Sequence, residues 1–95
     1  MSKKEAEETV KQTPGWRLMQ DAKKGQLSIG RDLEFKDFKE AMAFVNKVAD
    51  VANVENHHPD IYIFYNLVKL QLSTHAASGL SENDFILAAK INKLL

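Results

Sequence analysis

Residues 56–75, "NHHPDIYIFYNLVKLQLSTH", hold every histidine of the chain: His57 and His58 ahead of Pro59, and His75 at the end of a strand-like run. Imidazole titrates near neutrality, at about 6.5 when unperturbed, so it can both donate and accept a proton; it is also a common metal ligand. Pro59 biases His58 toward extended backbone, and neighbouring side chains in extended backbone diverge. His57 and His58 are therefore not expected to face one pocket together. Without further context an exposed polar turn is the favoured reading of "HHP". A zinc site is disfavoured, because the pair lacks the one-face helical spacing of a metalloprotease motif and the chain has no cysteine. Asp84 is equally two-sided, since it falls three residues after Ser81, where an acid closes a capping box and complements the helix dipole. From spacing alone, capping is the simpler reading. Tyr62, Phe64, Tyr65 and Trp16 read as strand-forming or packing aromatics.

The elements that must position these groups follow from periodicity. "SKKEAEETVKQ" reads as a polar helix stopped by Thr13-Pro14-Gly15. "WRLMQD" is a first strand and "AKKGQ" its turn, with Gly25 providing the reversal. In "LSIGRDLEF", Leu27, Ile29, Leu33 and Phe35 alternate as in a half-buried strand, interrupted by Arg31. From Lys36 the period becomes helical: Phe38, Ala41, Met42, Val45, Val48, Ala49 and Ala52 form an apolar stripe. "DIYIFY" and "LVKLQLSTH" alternate again around a short link at Asn66, with Val68, Leu70 and Leu72 on one side and Lys69, Gln71, Ser73 and His75 on the other. "GLSENDFILAAKINKLL" closes as a helix with Ser81 as N-cap, and its uniformly apolar run Phe85–Ala89 suggests burial against the sheet or a partner subunit. The order α-β-β-α-β-β-α predicts an α+β fold, a four-stranded antiparallel sheet with about three helices on one face.

Composition narrows the function. The 95 residues suffice for one domain and one core. Lys plus Arg equals Asp plus Glu at 13 each, so no net field favours direct nucleic acid contact or an anionic membrane. The charged N-terminus and the lack of about eighteen consecutive apolar residues predict a soluble protein, and the absence of cysteine fits the cytoplasm.

Taken together, His57-His58-Pro59, Tyr65, Ser73-Thr74-His75 and Asp84 resemble the motif of the pterin-4a-carbinolamine dehydratase family. "GW", "FKDFKEAMAFVNKVA" and "GLSENDF" extend the resemblance to nearly the whole chain from Gly15 onward. It implies a dehydratase converting 4a-hydroxytetrahydropterin, the carbinolamine left by pterin-dependent aromatic amino-acid hydroxylases, to quinonoid dihydropterin and water. It further implies His57 and His75 as the acid/base pair, without saying which donates and which accepts, His58 mainly as a pterin ligand, and Asn53, Asp60, Ser73, Thr74 and Asp84 as substrate-binding residues, with neither metal nor organic cofactor. Family members are often homo-oligomers, tetramers among them, and some act as dimerisation cofactors of homeodomain transcription factors, so an interaction role is the competing expectation. A pterin-binding relative with weak catalysis is a third. Asn53 departs from the family pattern, which places a carboxylate four residues before the first histidine, and Asp60 or Glu55 is the candidate to compensate.

Overall fold

The computed structural model describes residues 1–74 and 79–95. Its elements run α1 (Lys3–Lys11), β1 (Arg17–Gln20), β2 (Leu27–Glu34), α2 (Phe38–Glu55), β3 (Asp60–Phe64), β4 (Leu67–Leu72) and α3 (Glu82–Asn92). The sheet is antiparallel throughout in the order β1-β2-β4-β3, so β3 is an edge and β4 lies inside it. This is the α+β architecture that the alternating periods predict.

Alternation decides which face is covered. Leu18, Ile29, Val68, Leu70 and Leu72 point at the helices, and the same core takes Ala41, Phe44, Val45 and Val48 from α2 and Phe85, Leu87, Ala88 and Ile91 from α3. Burying one such aliphatic side chain contributes roughly 1.5–3 kcal/mol, far more than any surface ion pair of the opposite face, such as Arg17–Asp32 at 3.3 Å. Two details depart from the expected stripes. Phe38, the first residue of α2, is 49% exposed, and Phe44 occupies the core in its place, tilted against Phe35 with ring centroids 5.1 Å apart. The buried stripe of α2 begins at Ala41. In α3 the apolar run is divided, with Phe85, Leu87 and Ala88 buried but Ile86 and Ala89 exposed.

Arg31, the interruption in β2, also has a structural reason. It occupies a helix-facing position opposite Leu70 and reaches Pro14 O at 3.1 Å and Asn92 Oδ1 at 2.5 Å. Trp16 Nε1 donates to the same Asn92 oxygen at 2.9 Å. Gly15 is required beneath this clamp: its φ is +84° and a Cβ there would stand 2.5 Å from the Arg31 guanidinium carbon.

The β3–β4 hairpin turns through Tyr65 and Asn66, with Tyr65 in the left-handed region at φ 54°. Asn66 secures the turn by donating its Nδ2 to Phe35 O at 2.9 Å while Asn66 O accepts from Phe35 N at 2.8 Å.

Candidate functional site

The first histidine is placed by the way α2 ends. Asn56 adopts the left-handed conformation (φ 51°, ψ 41°), which asparagine tolerates better than most non-glycine residues. The N–H of Asn56 then donates to Asn53 O at 3.3 Å and that of His57 to Ala52 O at 3.1 Å, the paired bonds of a Schellman termination. The His57 backbone is thus fixed to the helix before its side chain makes any contact.

That side chain turns toward the start of α3. His57 Nε2 lies 2.5 Å from Asp84 Oδ1, and the pair is largely withdrawn from solvent, with 19% of the histidine side chain exposed and none of the aspartate. A carboxylate only accepts, so the proton resides on Nε2, and Nδ1 is the nitrogen that can take up another. Asp84 Oδ2 accepts from the Thr74 hydroxyl at 2.8 Å and from the Ser81 N–H at 3.0 Å. Thr74 has one hydroxyl proton and gives it to Asp84. Its 2.9 Å contact with Ser81 Oγ is therefore donated by Ser81. Asp84 does cap α3, as its spacing predicts, but the same carboxylate also holds the imidazole and the end of β4. Among the described residues every buried side-chain polar atom has a partner, so this cluster is fully satisfied.

His58 points elsewhere, as expected for adjacent residues before Pro59. Its Nε2 lies 3.0 Å from Asn53 Oδ1 on an exposed surface. The residue that replaces the family's carboxylate therefore serves the second histidine and not the first. An amide can turn either its oxygen or its nitrogen toward an imidazole, whereas a carboxylate offers only acceptors. Glu55, the other carboxylate at this helix end, pairs with Lys90 Nζ at 2.6 Å.

Asp60 and Ser73 fall apart from the His57 cluster. Both line a cavity of about 390 Å³ on the helix-free face, together with Met19, Ser28 and Gln71. Gln71 Nε2 donates to Ser28 Oγ across the strands at 3.2 Å. Ser28 was not legible as a site residue; its only signal is a polar position in β2 that strand register sets near Gln71. His75 lies outside the described residues. Among the described residues no group of three or more His, Cys, Asp or Glu side chains converges as for a metal, and no helix is long and apolar enough to cross a membrane.

The chain is similar to known proteins over most of its length. A homologue from Halorhodospira halophila is 44% identical over 94 residues, spanning 99% of this chain and 83% of its own. One from Legionella pneumophila is 57% identical over 67 residues, 70% of this chain and 59% of that one. Both carry the name "Putative pterin-4-alpha-carbinolamine dehydratase". The crystal structure of a Brucella melitensis protein described as a transcriptional coactivator/pterin dehydratase superposes with a TM-score of 0.87 at 32% identity, covering 99% of this chain and 96% of that one. The family profile described as pterin 4 alpha carbinolamine dehydratase matches residues 1–94. With that match across its length, the chain belongs to the pterin 4 alpha carbinolamine dehydratase family.

Proposed function

We propose that the protein dehydrates 4a-hydroxytetrahydropterin to quinonoid dihydropterin, in the recycling of tetrahydrobiopterin in the cytoplasm. The observation that carries this reading is the part-buried His57–Asp84–Thr74 cluster, with Asp84 fully buried at its centre, beside the His-His-Pro turn. The reaction breaks the C4a–O bond, with one proton delivered to the departing hydroxide to make water and one removed from a ring N–H as the C=N bond forms. Two proton-transfer groups suffice, and neither a metal nor an organic cofactor enters the scheme. Asp84 fixes the His57 tautomer and stabilises the imidazolium that forms when Nδ1 takes up a proton, which suits His57 to the base. With His57 as the base, His75, the other member of the acid/base pair that the resemblance implies, takes the acid's part, and His58 with Asn53 binds the pterin.

The test is dehydration of a freshly generated 4a-carbinolamine with substoichiometric protein. His57→Ala and His75→Ala should each lower the rate by roughly 100-fold to 10,000-fold, with the spontaneous reaction setting the floor. Both variants folded and turning over at the wild-type rate would sink the assignment. Chelator treatment should leave the rate unchanged.

Oligomerisation belongs to the same reading. Tyr62 and Phe64 are 48% and 58% exposed on the edge strand β3, and association would bury them. A strict monomer by light scattering at micromolar concentration would count against it.

A further inference from the structure

We infer that the Glu55–Lys90 ion pair is a positioning pair for His57: it fixes the end of α2 on α3 and so keeps the imidazole aligned with Asp84. Its effect on rate rests on the dehydratase reading, and its effect on the histidine on the fold alone.

Apolar packing stops short of this helix end. The last buried residue of α2 is Ala52, and Val54 beyond it is 82% exposed. A groove of about 390 Å³ opens between the two helices here, with Val51, Val54, Glu55 and Lys90 in its lining, so side chains do not fill the space that separates them. Among the described residues two polar side-chain contacts tie residues 53–57 to α3. His57 Nε2 meets Asp84 Oδ1 near the start of α3, and Lys90 Nζ donates to Glu55 Oε1 at 2.6 Å near its end. Asp84 and Lys90 stand about 9 Å apart along the helix axis, at about 1.5 Å per residue. One contact leaves a helix end free to pivot about it. A second contact, displaced along the partner helix, removes that freedom. Only Asn56 separates Glu55 from His57, and its backbone is held by the bonds that terminate the helix, so movement at Glu55 passes to the imidazole.

Electrostatics explains why the cation comes from α3. The C-terminal end of a helix carries partial negative charge, and α2 has no basic residue in its last turn but ends on Glu55. Lys90 lies in the last turn of α3, where it complements its own helix as well. One ammonium therefore offsets the negative ends of both helices. The Glu55 and Lys90 side chains are 24% and 47% exposed, so salt reaches this tie, whereas the fully buried Asp84 is shielded from it.

The experiment combines NMR of the His57 ring with steady-state dehydration by the full chain. Lys90→Met keeps an aliphatic stem and removes the charge, and Glu55→Gln removes the other charge at nearly constant shape. Each should shift or broaden the His57 Nε2–H resonance and lower kcat about 2-fold to 5-fold, the reach of an exposed ion pair, with KM unchanged because neither residue touches the substrate. The exchanged pair, Glu55→Lys with Lys90→Glu, should restore both readouts. Salt at about 1 M should bring the wild-type kcat toward that of Lys90→Met and have less effect on the variant. Lys93→Met, in the same groove, should change neither readout. Urea denaturation separates a loss of stability from a loss of alignment. Folded single variants that keep the wild-type His57 resonance and kcat, whatever their stability, would overturn the positioning role. A resonance that moves in both single variants and returns in the exchanged pair, in a protein that dehydrates nothing, would sink the dehydratase reading and uphold the tie.

Discussion

Two helices of this protein begin with the same local sequence logic, Ser-x-x-acid, and put it to different uses. At α1, Ser2 Oγ accepts from the Glu5 N–H at 3.2 Å and Glu5 Oε1 accepts from the Ser2 N–H at 3.2 Å, a closed box on an exposed surface. At α3, the Asp84 carboxylate accepts from the Ser81 N–H, but the Ser81 hydroxyl turns away to Thr74, and Asp84 spends its other oxygen on His57. The first box serves only its helix. In the second, burial makes the carboxylate the junction of α3, the end of β4 and the histidine turn, so a capping position has become part of the candidate site. Spacing specifies the cap; the surroundings specify its purpose.

The largest effect that would test this contrast is removal of the buried junction. Asp84→Ala leaves the Thr74 hydroxyl, the Ser81 N–H and the imidazole without an acceptor, and should cost about 2–4 kcal/mol of stability by urea denaturation, with a marked loss of dehydration. Asp84→Asn, of similar volume, should recover much of the stability but not the rate, because a neutral amide does not stabilise an imidazolium. Equal rates for Asp84→Asn and wild type would reduce Asp84 to a cap. Next in size is the helix end that fixes His57. Asn56→Val places a β-branched residue at positive φ and should destabilise by about 1–2 kcal/mol, whereas Asn56→Gly should be tolerated, the two compared by thermal melting. Ser81→Ala should be milder, about 0.5–1.5 kcal/mol, because it frees only the bond to Thr74, and its rate should fall several-fold as the Thr74 hydroxyl loses one of its two side-chain partners.

Much of this was written in the sequence, and the remainder was not for identifiable reasons. Helical and strand periods give the elements and their order, and the divergence of His57 from His58 follows from local geometry before proline. The second partner of Asp84 does not, because His57 lies 27 residues upstream and only the fold brings them together. Asn53 counts back four residues to His57, yet the turn at Asn56 swings His58 onto it instead. Phe38 continues the apolar period of α2 but precedes its first buried residue, Ala41, since a period marks a face and not where its cover begins. The cavity depends on strand register between β2 and β4, which alternation within one strand does not reveal.

The smallest effect belongs to the exposed box and sharpens the contrast from the other side. Hydrogen bonds from the Ser2 backbone and then its hydroxyl hold the Glu5 carboxyl below the usual glutamate range. A carboxyl whose folded pKa is depressed binds protons more weakly folded than unfolded, so its stabilisation is present above the unfolded value and is lost as pH falls through the folded one. Glu5→Gln should therefore melt slightly below wild type at neutral pH, and the two should converge under acid, where both side chains are uncharged. Solvent keeps the difference small, because the carboxylate is exposed and easily rehydrated when its box opens. Dehydration at neutral pH should not change at all, since Glu5 touches neither histidine nor the cavity. A Glu5→Gln variant that lost activity while melting as wild type would mean that α1 communicates with the site, and the division between a cap that serves its helix and a cap that serves the chemistry would fail.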